Sequence, residues 1–145
     1  MKKHLSIATL VSLTVAMSTA PAWSADAATD AAQVKLQSTS VPTLRQSIAS
    51  AAGYDLKCIE IKHTGHQLTA TIVNSKQNGA TSIDREKEAI AMASAMESSI
   101  QGKPEFEGVA SIHIDYISRV GKKVKTIQIF DFFRSPANVF VLHKT

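Results

Sequence analysis

A single cysteine, Cys58, stands in this chain, so no intramolecular disulfide can form and stability must come from packing. Cys is among the most buried residue types, which makes Cys58 an expected inert core thiol, with an intermolecular bridge as the alternative. Glycine is scarce: six residues in 145, none spaced as a phosphate-cradling or dinucleotide-binding loop. The chain has no G-x-S-x-G, no H-E-x-x-H and no cysteine in a catalytic setting, so covalent chemistry has no motif to stand on. No run of Lys or Arg exceeds two residues, which leaves nucleic-acid binding without an electrostatic footprint. No cofactor is implied by any of these residues.

What the chain does have begins at its N-terminus. Lys2 and Lys3 precede an apolar or small-residue run at 5–17 (LSIATLVSLTVAM), and Ala22 and Ser24 place small residues before a potential cleavage point. The run is shorter than the roughly 20 residues a bilayer span needs. Residues 1–24 therefore read as a cleavable signal peptide, cut before Ala25 or alternatively before Ala28, which implies export, with the periplasm as the expected compartment. No Cys lies near the cleavage point, which disfavours a lipid anchor. Without residues 1–24, Lys+Arg falls from 16 to 14 against 12 Asp+Glu, a net charge of about +2. Residues 25–40 are small and polar, a flexible leader by composition, and residues 41–145 are enough for one α+β domain.

Within that domain, apolar periodicity marks the elements. Residues 42–52 read as a short helix, with Thr43 and Gln46 as a capping box and Gly53 at its C-terminal stop. Two runs around Thr64-Gly65 read as a hairpin in which Ile61 faces Leu68, Ile59 faces Ala70 and Lys57 faces Ile72. Residues 83–100 read as a second helix, capped by Thr81 or Ser82. Ala89, Met92, Ala93, Met96 and Ile100 form its core stripe. Residues 108–133 hold the densest β-branched and aromatic run and read as a second hairpin around Gly121-Lys122, with Tyr116 facing Ile127 and Ile114 facing Ile129. Residues 139–142 add a short strand, with Phe133 set against Phe140. A right-handed crossover makes the second and third strands parallel neighbours. The order α-β-β-α-β-β(-β) predicts an α+β two-layer sandwich, an open antiparallel/mixed sheet of four to five strands with two helices on one face.

Three constellations are candidates for function. His63 and His66 oppose each other across the first turn in this register, and facing imidazoles can hold Zn²⁺ or Cu²⁺; a stable site needs further ligands that the neighbouring sequence does not supply. His113 and Asp115 alternate on one face of the third strand, raw material for general acid–base catalysis, with Phe130 expected between His113 and His143. Residues i and i+2 on a strand lie nearly 7 Å apart, and no partner nucleophile is visible. Thirdly, two helices cannot cover both faces of a sheet. The expected outer face (Val73, Ile117, Phe130, Phe132 and Val141) is an apolar patch suited to a protein partner, a small apolar ligand or a homodimer. The Lys122, Lys123 and Lys125 turn offers contact with anionic lipid headgroups, with simple solvation as the alternative. The sequence thus reads as a small exported protein that binds through its outer sheet face, with a His63/His66 metal protein and a His113/Asp115 acid–base enzyme as alternatives.

Overall fold

Strand β3 (Ser111–Val120) lies at the centre of the sheet because its alternate residues Ile112, Ile114 and Tyr116 are large, apolar and fully buried on one side. The computed structural model describes residues 40–144. The expected signal peptide and nearly all of the expected leader lie outside the described residues. Around β3 the strands run in the order β1 (Ile59–Thr64), β2 (Gln67–Val73), β3, β4 (Lys123–Arg134), β5 (Phe140–Leu142). Neighbours pair antiparallel except β2 with β3, which are parallel because α2 (Ser82–Ile100) crosses over between them. With α1 (residues 40–52) the order is α-β-β-α-β-β-β, an α+β two-layer sandwich.

Helix α2 forms as its sequence implies. The Thr81 hydroxyl accepts from the Asp84 N–H at 3.2 Å, and Gly102 at φ +71° stops the helix. Its buried residues are Ala89, Met92, Ala93, Met96 and Ile100, the expected stripe. They meet Leu44 and Ile48 of α1 and, from the sheet, Ile59, Leu68, Ala70, Ile72, Ile112, Ile114, Tyr116, Phe130 and Phe132. Each large side chain taken fully out of water there contributes about 1.5–3 kcal/mol before entropy is counted. A polar group is set into this layer: Glu88 of α2 accepts from the hydroxyls of Tyr54 and Tyr116, both at 2.9 Å. Burial pushes both phenols above their ordinary range, and the Glu88 carboxylate adds to the effect.

The structure corrects one helix cap, three strand pairings and the setting of Cys58. Chain 40–52 is already helical at residue 40, so Thr43 is no cap; its carbonyl accepts from Ser47 Oγ at 3.0 Å. The first hairpin turns at Gly65-His66, two residues out of the expected register, so Ile59 rather than Lys57 pairs with Ile72. This brings apolar against apolar and leaves every side chain on its expected face, because side chains alternate with period two. In the second hairpin the expected register holds from Val120–Lys123 to Ile117–Thr126 and then shifts by one: Tyr116 pairs with Gln128 and Ile114 with Phe130. Ile127 is the extra residue, a β-bulge. A shift of one reverses the faces, so Phe130 and Phe132 turn into the core and Ile129, Asp131 and Phe133 turn outward. Finally, Phe133 pairs with Val141 and Arg134 with Phe140, where the Arg134 guanidinium lies 4.8 Å over the Phe140 ring. Cys58, closing the turn Leu56–Cys58, is half-buried rather than a core thiol.

Candidate functional site

The outer face is built by alternation from the bulge onward. Because Ile112, Ile114, Phe130 and Phe132 take the inner positions, Ser111, His113 and Asp115 of β3 and Ile129, Asp131 and Phe133 of β4 project to the side without helices. Beyond β4, Val141 sits opposite Phe133, and the His143 N–H donates to the Asp131 carbonyl at 2.8 Å. On the other flank, Thr69 and Thr71 of β2 stand beside His113 and Asp115. Ile129, Phe133 and Val141 are 51, 46 and 53 % exposed, whereas Ile112, Ile114, Phe130 and Phe132 on the helix side of the same strands are buried. They surround a polar centre.

That centre is a short hydrogen-bonded chain. His113 Nδ1 lies 2.6 Å from Asp131 Oδ1, and its Nε2 lies 3.2 Å from Ser111 Oγ. In the neutral ring a carboxylate on Nδ1 holds the proton there, which leaves the lone pair on Nε2 to accept from the Ser111 hydroxyl. Phe133 closes one side of the imidazole edge-on, with centroids 6.4 Å apart, and His143 meets the same Phe133 ring at 5.5 Å. Asp115 is half-buried nearby. Burial holds its carboxyl above the ordinary range, with His113 pulling it down and Asp131 pushing it up. The partner of His113 is therefore Asp131 across the strands, and not Asp115 two residues along. Between His113 and His143 stands Asp131, where Phe130 was expected. Chemically, the arrangement can hold a neutral imidazole in one tautomer, offer a hydrogen-bonded hydroxyl, and present carboxylates amid apolar surface.

His63 and His66 are not brought face to face. His63 pairs with Leu68 on the helix side of the sheet and stacks on Phe106 with centroids 5.5 Å apart. Neither of its ring nitrogens has a hydrogen-bond partner among the described residues. His66 lies in the turn, and its Nδ1 donates to the Gly108 carbonyl at 2.7 Å while its own carbonyl accepts from Ala110 N–H. It staples the approach to β3. A side chain at Gly108 would meet the His66 ring at 3.2 Å, which is why glycine suits that position. The facing geometry on which the metal reading depends is not formed, and among the described residues no group of three or more His, Cys, Asp or Glu is placed to hold a metal.

Sequence reasoning placed His143 on the same row as His113 but missed Ser111, Asp131 and Phe133 as its neighbours. The signal was Asp131 itself, an acid inside the aromatic run I-F-D-F-F. Placing it outward turns both flanking phenylalanines inward, which with a two-residue turn at Gly121-Lys122 takes an extra residue in β4. Comparison with protein-family models, with curated proteins and with solved structures finds no match to this chain.

Proposed function

We propose that the protein works by non-covalent binding through the outer face of β3, β4 and β5, with a partner protein seated over the His113–Asp131 pair. One observation carries this reading: Ile129, Phe133 and Val141 remain about half exposed on a face that no described element covers, although burying the exposed half is worth about 1 kcal/mol each. The polar centre suits a binding surface, since a part-exposed hydrogen-bonded pair among apolar neighbours supplies register while the apolar ring supplies affinity. A small apolar ligand or a second copy of the chain would use the same side chains. The test is site-specific photo-crosslinking in expressing cells, with a benzophenone side chain at Val141 and, as control, at Lys87 on the exposed side of α2. The reading expects a discrete adduct from position 141 alone, lost when Ile129→Asp is added. Equal or absent crosslinking at both positions overturns it, and the adduct mass separates a homodimer from a foreign partner.

A second reading is favoured by the chain Ser111–His113–Asp131, in which each nitrogen of the imidazole faces the group an acyl-transfer site would give it. His113 would take the Ser111 proton as the hydroxyl attacks a carbonyl. Against it, the N–H groups of Ala110 and Ser111 are both given to the His66 carbonyl and are not free to hold an oxyanion. Fluorophosphonate labelling decides: an adduct on Ser111 that disappears in His113→Ala would establish the hydrolytic reading, and an unlabelled Ser111 removes it.

A further inference from the structure

The β3–β4 hairpin reaches past the helix layer. Inward packing against α2 ends at Tyr116, held by Glu88, and at Gln128, whose side chain meets Arg85 at 2.7 Å and Ser82 at 2.7 Å. No residue from Ser118 to Thr126 belongs to the core cluster, so this ribbon extends roughly 10 Å beyond it at about 3.3 Å per residue. Its base is braced. The Asn74 side chain, on a residue at φ +52°, donates to the Arg119 carbonyl at 2.9 Å and accepts from the Arg119 N–H at 2.7 Å, continuing the β2–β3 ladder with side-chain atoms. The Arg119 guanidinium forks onto Glu60 at 2.5 and 3.2 Å. Everything beyond Arg119 is solvated.

We propose that this hairpin tip docks on an anionic lipid surface. Val120 and Val124 are 75 and 57 % exposed at its end, and Lys122, Lys123 and Lys125, all exposed, surround them. No acidic residue occurs anywhere between Asp115 and Asp131, so the tip is uniformly cationic. In the register Val120 stands opposite Lys123, and Val124 stands opposite Arg119 on the other side of the ribbon. A lysine-flanked apolar apex fits a bilayer interface: the valines reach below the headgroups while the lysine stems extend their ammonium groups to the phosphates. Gly121 at φ +58° keeps the turn tight. The proposal is independent of the binding face at His113, which lies toward the opposite end of β3 and stays open when the tip is down.

The test is co-sedimentation of the protein, isolated from expressing cells in its own N-terminal form, with vesicles of phosphatidylcholine and phosphatidylglycerol at 1:1 in low salt. Wild type is compared with the triple variant Lys122→Gln/Lys123→Gln/Lys125→Gln and with Val120→Ser/Val124→Ser. All three carry the same N-terminus, so any lipid affinity of residues 5–17 cancels. At about fivefold per lysine, the triple variant should partition roughly a hundredfold more weakly, and the valine pair several-fold more weakly. Wild-type binding should fall steeply as salt rises. The substituted side chains are solvated, and an unchanged unfolding temperature verifies that each variant folds. A folded triple variant that partitions like wild type, or wild-type binding that is indifferent to salt, overturns the proposal.

Discussion

The two faces of the sheet are made from the same two strands and differ in almost every physical respect. Toward the helices, β3 and β4 present Ile112, Ile114, Tyr116, Phe130 and Phe132, all buried. Away from them the interleaved positions hold Ser111, His113, Asp115, Ile129, Asp131 and Phe133, with a charge-assisted hydrogen bond and half-exposed apolar side chains. Composition alone does not decide which set goes inward, because both contain aromatics and aliphatics. One extra residue, Ile127, decides it. A continuous ladder would place Phe130 and Phe132 outside and draw Asp131 into the core, where an unpaired carboxylate is costly. The bulge therefore sorts the sequence into a buried packing surface and a part-exposed outer surface.

The largest effect expected from this contrast is between neighbours. Phe132→Ala should destabilise by about 3–5 kcal/mol through the cavity it leaves, lowering Tm by about 10 °C or more. Phe133→Ala, one residue on but facing outward, should cost less than about 1 kcal/mol. Thermal unfolding of the two variants checks the pair, and a reversed ranking would reverse the faces. A middle-sized effect belongs to Glu88, the carboxylate that reaches the sheet from α2. Glu88→Ala leaves the Tyr54 and Tyr116 hydroxyls without their shared acceptor and should cost about 2–3 kcal/mol, with Glu88→Gln milder because the amide oxygen still accepts. Denaturant titration measures both.

The smallest effect is a sign. Burial raises the folded-state pKa of Asp115 above its ordinary value of 3.8, so at neutral pH its charge disfavours the folded state. Asp115→Asn should then be more stable than wild type at pH 7. The gap should shrink as pH falls through the raised pKa and vanish below the ordinary carboxyl value, since the native state binds the proton more tightly than the unfolded chain. Paired unfolding curves between pH 3 and 7 give the answer, and a gap that widens on acidification would contradict the stated environment of Asp115.

Much of the fold was legible in the sequence because it depends on local periodicity. The stripe Ala89, Met92, Ala93, Met96 and Ile100, the Thr81 cap, the parallel crossover and the two-layer arrangement follow from helical spacing and chain handedness, and the structure bears them out. In the first hairpin the two-residue slip changed partners but not faces, so the core list survived while the facing His63 and His66 did not. The candidate site was less legible. His113 was recognised as chemically interesting, yet its partner depends on a register shift that alternation alone does not reveal. Tyr116 against Ile127 and Tyr116 against Gln128 look equally acceptable until Glu88 and Arg85 of α2 are in place to satisfy the phenol and the amide. Tertiary hydrogen bonding selected the register.

The most direct measurement is thermal unfolding of a chain from which Ile127 alone is deleted. If Ile127 is the bulge, its removal joins Thr126 to Gln128 without changing any partner of Gln128 to Phe133. The variant should unfold cooperatively, about 1–3 kcal/mol less stable than wild type, for the lost contact of a half-buried isoleucine with the core. If the ladder were instead continuous through Ile127, the deletion would reverse the remainder of β4, put Asp131 into the core and Phe130 and Phe132 into water, and abolish the cooperative transition.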